Sequence, residues 1–204
     1  MHWIWSLVAK LTANRVMIRM PSAKREVYLT FDDGPHPTNT PALLDVLAAS
    51  QVKATFFLIG QQAELHPSVV QRLVTEGHAI GNHSMTHPNL RSLGRREQLA
   101  QIDRADEVLA RFDGRKRHLF RPPRGHATPA TIARALGGSQ PLVLWSFDSH
   151  DYKLGGEALV ERLEQHRPKG GDILLFHDDM PTTIEALRVV LPRWRSAGLQ
   201  FATM

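Results

Sequence analysis

Residues 27–35 read VYLTFDDGP. The first five of them are mostly β-branched or aromatic, which predicts a strand over 27–31. Asp32 and Asp33 follow at the end of this strand, directly before Gly34 and Pro35. A turn capped by an Asp-Gly sequence would explain one of the two aspartates but not both. The adjacent like charges therefore indicate that a cation at this strand end binds a carboxylate.

Apolar runs of the same kind recur along the chain and alternate with helical periodicity. They predict strands over 27–31, 54–60, 78–83, 118–123, 142–148, 172–178 and 199–203, and helices over 40–49, 67–76, 95–112, 129–136, 156–165 and 182–197. This alternation predicts an α/β fold with parallel strands, either an open sheet or a barrel. In both architectures the loops after the carboxyl ends of the strands build the site.

The amino-acid composition limits the kinds of catalytic and binding site that the chain can form. The chain has 204 residues, which suits one domain, and it contains no cysteine, so a metal site must use His, Asp or Glu. The net charge is +5, but residues 1–26 hold five basic residues and one acidic residue. The remainder is nearly neutral, which disfavours a nuclease or another nucleic-acid-binding protein although the pI is near 10.

The basic start of the chain predicts a division into an N-terminal segment, residues 1–25, and a catalytic domain, residues 26–204. The apolar stretch 3–9 is too short to span a bilayer and lacks the flanks of a signal peptide. We expect it to pack on the domain as a first helix or strand; the alternative places residues 1–20 on a membrane surface. The expected location is the cytoplasm, with peripheral contact at the inner membrane face as the alternative.

Several polar residues at the predicted strand ends have catalytic capability. His83 and His87 have the i, i+4 spacing of two metal ligands on one helical turn, although eleven histidines would also produce such a pair by chance. Asp33 would complete a set of two histidines and one carboxylate. Asp32 would then remain as a base, and His177, after strand 172–178, could donate a proton. Read alone, the segment favours an exposed loop histidine at 177 over a catalytic one.

Five segments in order, TFDDGP, HSMTH, RPPRG, DSHDY and LLFH, resemble the motifs of the polysaccharide deacetylases. This family is also called carbohydrate esterase family 4 or the NodB-homology domain, and it includes the chitooligosaccharide deacetylases. The resemblance implies a distorted (β/α) barrel of about seven parallel strands with outer helices. It also implies metal-dependent hydrolysis of the N-acetyl amide of an amino-sugar glycan, with zinc as the expected metal.

The resemblance also assigns roles to single residues. It implies that Asp33, His83 and His87 hold the metal. Asp32 would be the general base, oriented by Arg121, and His177 would be the general acid, paired with Asp151. The Arg124 backbone N–H, Leu175 and Tyr152 would form the substrate groove. Two positions depart from the family pattern, since Arg124 stands where a tyrosine is usual and Tyr152 where a tryptophan is usual.

Other functions stay open at this point. The same hydrolysis on a formamido sugar, a lipid-linked glycan or a non-sugar amide would need the same residues. The basic cluster between Arg111 and Arg124 favours an anionic or membrane-borne substrate among these. A catalytically silent carbohydrate-binding protein would be expected to lack a ligand, Asp32 or His177. A paired-carboxylate glycosidase needs carboxylates on opposite sides of the scissile bond, which adjacent aspartates do not supply.

Overall fold

The computed structural model describes residues 15–21 and 26–204. Residues 1–14 and 22–25 lie outside the described residues, and with them most of the segment for which membrane contact is an alternative. The two interpretations of that segment and the division at residue 25 therefore stay predictions. Within the described ranges, no helix combines the length and apolar character needed to cross a bilayer.

Eight strands form the inner layer of the described structure. They are β1 Val16–Met17, β2 Glu26–Asp32, β3 Thr55–Leu58, β4 Ala79–Asn82, β5 Leu142–Val143, β6 Phe147–Asp148, β7 Ile173–His177 and β8 Gln200–Phe201. The main sheet has the order β4-β3-β2-β7-β6, β8 pairs with the start of β2, and β1 pairs with β5. All of these strand pairs are parallel.

Seven α-helices of residues 26–204 form the outer layer. They are α1 Asn39–Ala49, α2 Gly60–Leu65, α3 Pro67–Thr75, α4 Arg95–Asp113, α5 Pro129–Leu136, α6 Gly156–His166 and α7 Pro181–Ser196. Strands covered by helices read as continuous apolar runs, and Val27, Leu29 and Phe31 of β2 are accordingly fully buried. The parallel strands and outer helices confirm the predicted α/β class.

The barrel is distorted where predicted strands are interrupted. The expected strand over 118–123 is reduced to Phe120, which forms single bridges to Asn82 of β4 and Leu142 of β5. Prolines at 122, 123 and 141 have no N–H to give to a ladder, which explains the short pairing. The predicted strand over 142–148 is divided into β5 and β6, and β3 ends at Leu58, so that α2 begins at the predicted strand residue Gly60.

The register brings the polar strand ends together. Asp32, the last residue of β2, is the Cα partner of His177, the last residue of β7. On the other side of β2, Asp32 is the partner of Phe57 in β3. Below this edge, the ring of Phe31 lies 4.9 Å from that of Phe56 and 5.8 Å from that of Phe176. An aromatic core thus supports the edge on which the motif residues lie.

Candidate active site

A buried arginine holds Asp32. Arg121 is fully buried, and Asp32 is 4% exposed. Nη1 of Arg121 donates to Asp32 Oδ1 at 2.8 Å and to Thr30 Oγ1 at 2.8 Å, while Nη2 donates to the Leu144 carbonyl at 3.0 Å. The guanidinium carbon lies 4.1 Å from the centre of the Phe57 ring. A buried cation needs an anionic partner, and this contact fixes Asp32 while leaving its Oδ2 free of the guanidinium.

Asp33, His83 and His87 form a cluster that fits a divalent metal. Asp33 Oδ1 lies 3.4 Å from His83 Nε2 and 3.2 Å from His87 Nε2, and it is buried without a hydrogen-bond partner. His83 Nδ1 lies 2.8 Å from the Arg121 carbonyl, so Nδ1 carries the proton and Nε2 is free to bind a metal. Burial raises the pKa of Asp33, but the proximity and charge of His83, with the charges of His87 and His177, lower it to about 2.

One donor atom from each of these three residues lies within 4.8 Å of the others. A buried carboxylate oxygen without a donor, set between two imidazole nitrogens, is costly unless a cation binds it. Nitrogen and oxygen donors of this kind suit zinc, and three protein ligands leave a position open. The residues therefore fit the metal that the family resemblance implies.

His177 is paired with a buried carboxylate. Its Nδ1 lies 2.8 Å from Asp151 Oδ1, and its backbone N–H donates to Asp151 Oδ2 at 2.7 Å. Thr183 Oγ1 donates to the same Oδ2 at 2.6 Å. Burial lowers the pKa of His177, but the hydrogen bond and charge of Asp151, with the charges of Asp32 and Asp33, raise it to about 9. At neutral pH His177 therefore carries a proton on the nitrogen that faces away from Asp151.

A cavity of about 430 Å³ opens over these groups. Leu175, which is 3% exposed, lines it together with Tyr152, whose ring meets the His177 ring edge-on with 5.3 Å between their centres. Arg124 also lines the cavity and is exposed. Its backbone is left-handed, with φ of 57°. Within residues 15–21 and 26–204, its side chain has neither a hydrogen bond nor an ion pair, so its charge faces the cavity rim unpaired.

The structure brings all ten predicted site residues together. The lining of this cavity contains Asp32, Asp33, His83, His87, Arg124, Tyr152, Leu175 and His177, and Arg121 and Asp151 contact that lining from behind. A larger groove of about 650 Å³ lies beside Trp194, near the C-terminal ends of α6 and α7. Its described lining contains none of the ten.

Three supporting residues were not predicted. Thr30 precedes Asp32 by two positions, so it lies on the same face of β2, and that alternation could have identified it. Thr183, in the first turn of α7, gave no such signal. Asp178 is fully buried beside Gly34, and its Oδ2 accepts from Thr40 Oγ1 at 2.5 Å. Burial, with the nearby carboxylates, raises the pKa of Asp178 to about 8.

Sequence comparison identifies the class of protein. The profile of the polysaccharide deacetylases matches residues 19–139, more than half of the chain. The chain belongs to this family. A chitooligosaccharide deacetylase of Sinorhizobium fredii is 39% identical over 171 residues, which are 82% of this chain and 78% of the relative. A peptidoglycan-N-acetylglucosamine deacetylase of Bacillus cereus is 36% identical over 188 residues, which are 90% and 68% of the two chains.

Structural comparison agrees. The crystal structure of the Bc1960 peptidoglycan N-acetylglucosamine deacetylase superposes with a TM-score of 0.89 and 33% identity, covering 97% of this chain and 94% of that one. The family resemblance and the distorted barrel are thereby confirmed. This polysaccharide deacetylase is a hydrolase of the carbon–nitrogen amide bonds of N-acetylated sugars.

Proposed function

We propose that this polysaccharide deacetylase is a metal-dependent enzyme in which Asp32 is the general base and His177 the general acid. One observation carries the proposal. Asp32 and His177 are register partners on β2 and β7, and each is bound to a buried residue of opposite charge. The cluster of Asp33, His83 and His87 adjoins them, with His83 Nε2 3.8 Å from Asp32 Oδ2.

Hydrolysis of an amide requires an activated water, stabilisation of the oxyanion and protonation of the leaving amine. A divalent metal bound by Asp33, His83 and His87 would polarise the amide carbonyl and increase the acidity of the attacking water. Arg121 occupies Oδ1 of Asp32, so Oδ2 is the oxygen that would accept the proton of that water.

The remaining groups complete the reaction. Asp151 binds Nδ1 of His177, so Nε2 would deliver the proton to the departing nitrogen. The backbone N–H of Arg124 would donate to the oxyanion, an interaction typically worth about 3 kcal/mol. Leu175 would contact the acyl methyl group, and Tyr152 would form a wall of the groove.

The substrate that we propose is an N-acetylated amino-sugar glycan, as the names of the relatives suggest. Among the alternatives, an anionic glycan is favoured by the charge of Arg124 at the cavity rim, which has no ion-pair partner in the part of the chain that the structure describes. A formamido sugar or a lipid-linked glycan would be processed by the same groups. The lipid-linked alternative is consistent with a second proposal, namely that the enzyme is cytoplasmic and that residues 1–20 contact the inner face of the membrane. Liposome flotation of the intact chain against a variant that starts at Ser22 tests that contact.

The test of the catalytic assignment is an amine-release assay in the presence and absence of zinc. Its substrates would be chitooligosaccharides, peptidoglycan fragments, formamido sugars and lipid-linked glycans. Asp32→Asn should abolish release while zinc stays bound. Asp45→Asn, which alters a surface carboxylate bound to Arg72, is the matched control and should retain both properties. Near-full activity of Asp32→Asn would exclude Asp32 as the base. Failure of the wild-type enzyme to release amine from any of these glycans would favour a silent carbohydrate-binding protein.

A further inference from the structure

The loop that carries the two histidine ligands needs support from outside itself. Ser84 and His87 both have left-handed backbones, with φ of 72° and 52°, a conformation that L-residues other than glycine seldom adopt. Such a backbone persists only where surrounding contacts hold it. His87 is tied to Ser84, since its backbone N–H donates to Ser84 Oγ at 3.1 Å.

Asn82 is the residue that holds the start of this loop. Its side-chain oxygen accepts from the Ser84 backbone N–H at 2.8 Å, and this contact spans His83. Its backbone accepts from the Arg121 N–H at 2.9 Å and donates to the Leu119 carbonyl at 2.8 Å. His83 and the Arg121 segment are therefore both fixed relative to Asn82.

The orientation of the Asn82 side chain is set by α4. Its Nδ2 donates to the Ile102 carbonyl at 2.8 Å and to Asp106 Oδ1 at 2.9 Å. These two acceptors distinguish the amide nitrogen of Asn82 from its oxygen, so the oxygen must face Ser84. One residue before Ile102, Gln101 Oε1 accepts from the Thr86 backbone N–H at 3.0 Å. Helix α4 thus contacts the loop at both ends.

Asp106 is itself held by several donors that the proposed reaction does not use. It is 2% exposed, and its Oδ1 also lies 3.0 Å from His118 Nδ1. The other ring nitrogen of His118 lies 3.1 Å from Asp113 Oδ1, and Gln140 Nε2 donates to Asp106 Oδ2 at 2.9 Å. Burial lowers the pKa of His118, but the hydrogen bonds and charges of Asp106 and Asp113 raise it above its ordinary value.

We propose that Asp106 is a positioning residue for the metal site, which acts through Asn82 to preorganise the loop that carries His83 and His87. The inference rests on the proposed function in one respect, namely that the Asp33 cluster binds a metal. Residues that orient metal ligands from behind typically contribute a factor of about 10–100 in affinity. The carboxylate is needed because a neutral amide at 106 cannot accept from Asn82, His118 and Gln140 together.

The experiment measures the zinc affinity of metal-free protein by competition with a chromophoric chelator. Asp106→Asn should weaken zinc binding about tenfold. The matched control is Asp103→Asn on the same helix, because Asp103 belongs to the same charge network through Arg117 and Arg134 but does not contact Asn82. The control should bind zinc within about twofold of the wild type, on the scale set by the same principle. Thermal unfolding of each metal-free variant reports structural damage separately.

Two outcomes overturn the inference. Zinc affinity of Asp106→Asn equal to that of the wild type, with a lowered unfolding temperature, would show that Asp106 supports only the fold. Equal losses of zinc affinity in Asp106→Asn and Asp103→Asn would show general damage to the network. If Asp106→Asn does not fold, Asn82→Asp replaces it, because it keeps a side-chain acceptor for the Ser84 N–H but removes the donor to Asp106. Unchanged zinc affinity in Asn82→Asp would then overturn the inference.

The result can be separated from a failure of the proposed function. A protein that binds zinc in an Asp106-dependent manner but releases no amine would contradict the function and support the positioning role. A wild-type protein that binds zinc, with Asp106→Asn binding it equally well, would contradict only the positioning role. A wild-type protein that binds no divalent metal would contradict both.

Discussion

Replacement of Asp151 by Asn should move the alkaline limit of activity. Asp151 accepts from His177 Nδ1 at 2.8 Å, and the pKa of His177 is raised from 6.5 to about 9. In the variant, burial continues to lower this pKa while its main opposing charge is gone. We expect a fall of about two pKa units, equivalent to about 3 kcal/mol less stabilisation of the imidazolium.

A general acid must be protonated to act, so the sign of the effect is fixed. At pH 8 roughly nine-tenths of wild-type His177 would carry the proton, against roughly one-tenth in Asp151→Asn, a loss of about tenfold in kcat/KM. At pH 6 both would be mostly protonated, and the proton-dependent loss would nearly vanish. A bound metal cation would lower the pKa of both proteins, so the difference between them is the quantity to compare.

The assay is the pH dependence of kcat/KM for amine release between pH 5 and pH 10. Asp148→Asn is the matched control, because Asp148 lines the same cavity but has no hydrogen bond to His177 in the described structure. Its alkaline limit should coincide with that of the wild type. An unshifted limit in Asp151→Asn, or a shift to higher pH, would refute the assignment of His177 as the acid controlled by Asp151.

Stability gives a second readout of the same pair. The pKa of His177 is higher in the folded state than its ordinary value of 6.5, so its contribution to stability is complete below pH 6.5 and is lost as pH rises through about 9. The difference in unfolding free energy between wild type and Asp151→Asn should accordingly be larger at pH 6 than at pH 10. Urea denaturation at the two pH values measures it, and a difference that is independent of pH would contradict the pairing.

Three further substitutions test other contacts. In Gly34→Ala the new Cβ would lie 2.0 Å from Asp178 Oδ2, so the free energy of unfolding measured by urea denaturation should fall by at least about 2 kcal/mol. Gly94→Ala is the control and should lose far less stability, because its Cβ would meet its nearest atom at 3.5 Å. Equal stabilities of the two variants would contradict the packing around Gly34. Arg121→Lys keeps a charge but loses the guanidinium fork that joins Thr30, Asp32 and the Leu144 carbonyl, so kcat should fall roughly 100-fold while zinc stays bound. Loss of zinc in this variant would show that Arg121 acts mainly on the metal ligands and not on Asp32. Arg124→Gln should lower the ratio of kcat/KM for an anionic glycan to kcat/KM for a neutral glycan by up to about fivefold at low salt, which is the scale of an exposed ion pair. Arg111→Gln should leave this ratio unchanged. An unchanged ratio in Arg124→Gln would show that Arg124 does not recognise the charge of the substrate.

The sequence was informative wherever one segment determines its own structure. Apolar runs predicted most strands, and helical periodicity predicted α4 to within one residue of its observed end, where Gly114 adopts φ of 74°. The motif pairs Asp32 with Asp33 and His83 with His87 also needed no tertiary information. Their convergence follows from the rule that parallel strands present their carboxyl ends at one edge.

Long-range polar contacts were not predictable in the same way. Nothing near His118 in the sequence shows that its two ring nitrogens contact carboxylates at 106 and 113, since burial in the folded chain creates that need. The strand β1 was also missed, because it contains only Val16 and Met17 and depends on β5 for pairing. Such elements are defined by their neighbours and not by local periodicity.

The narrow bridge at Phe120 has a consequence for how the enzyme would lose activity. Four backbone hydrogen bonds join residues 119–121 to Asn82, Pro141 and Val143, and this short connection is the wall between β4 and β5. Cooperative units of a protein open locally at such weakly paired places before the whole structure unfolds. Opening here would withdraw Arg121 from Asp32 and the carbonyl of Arg121 from His83 in one event. Base and metal ligand would thus be lost together, and inactivation on mild heating would precede melting of the helices.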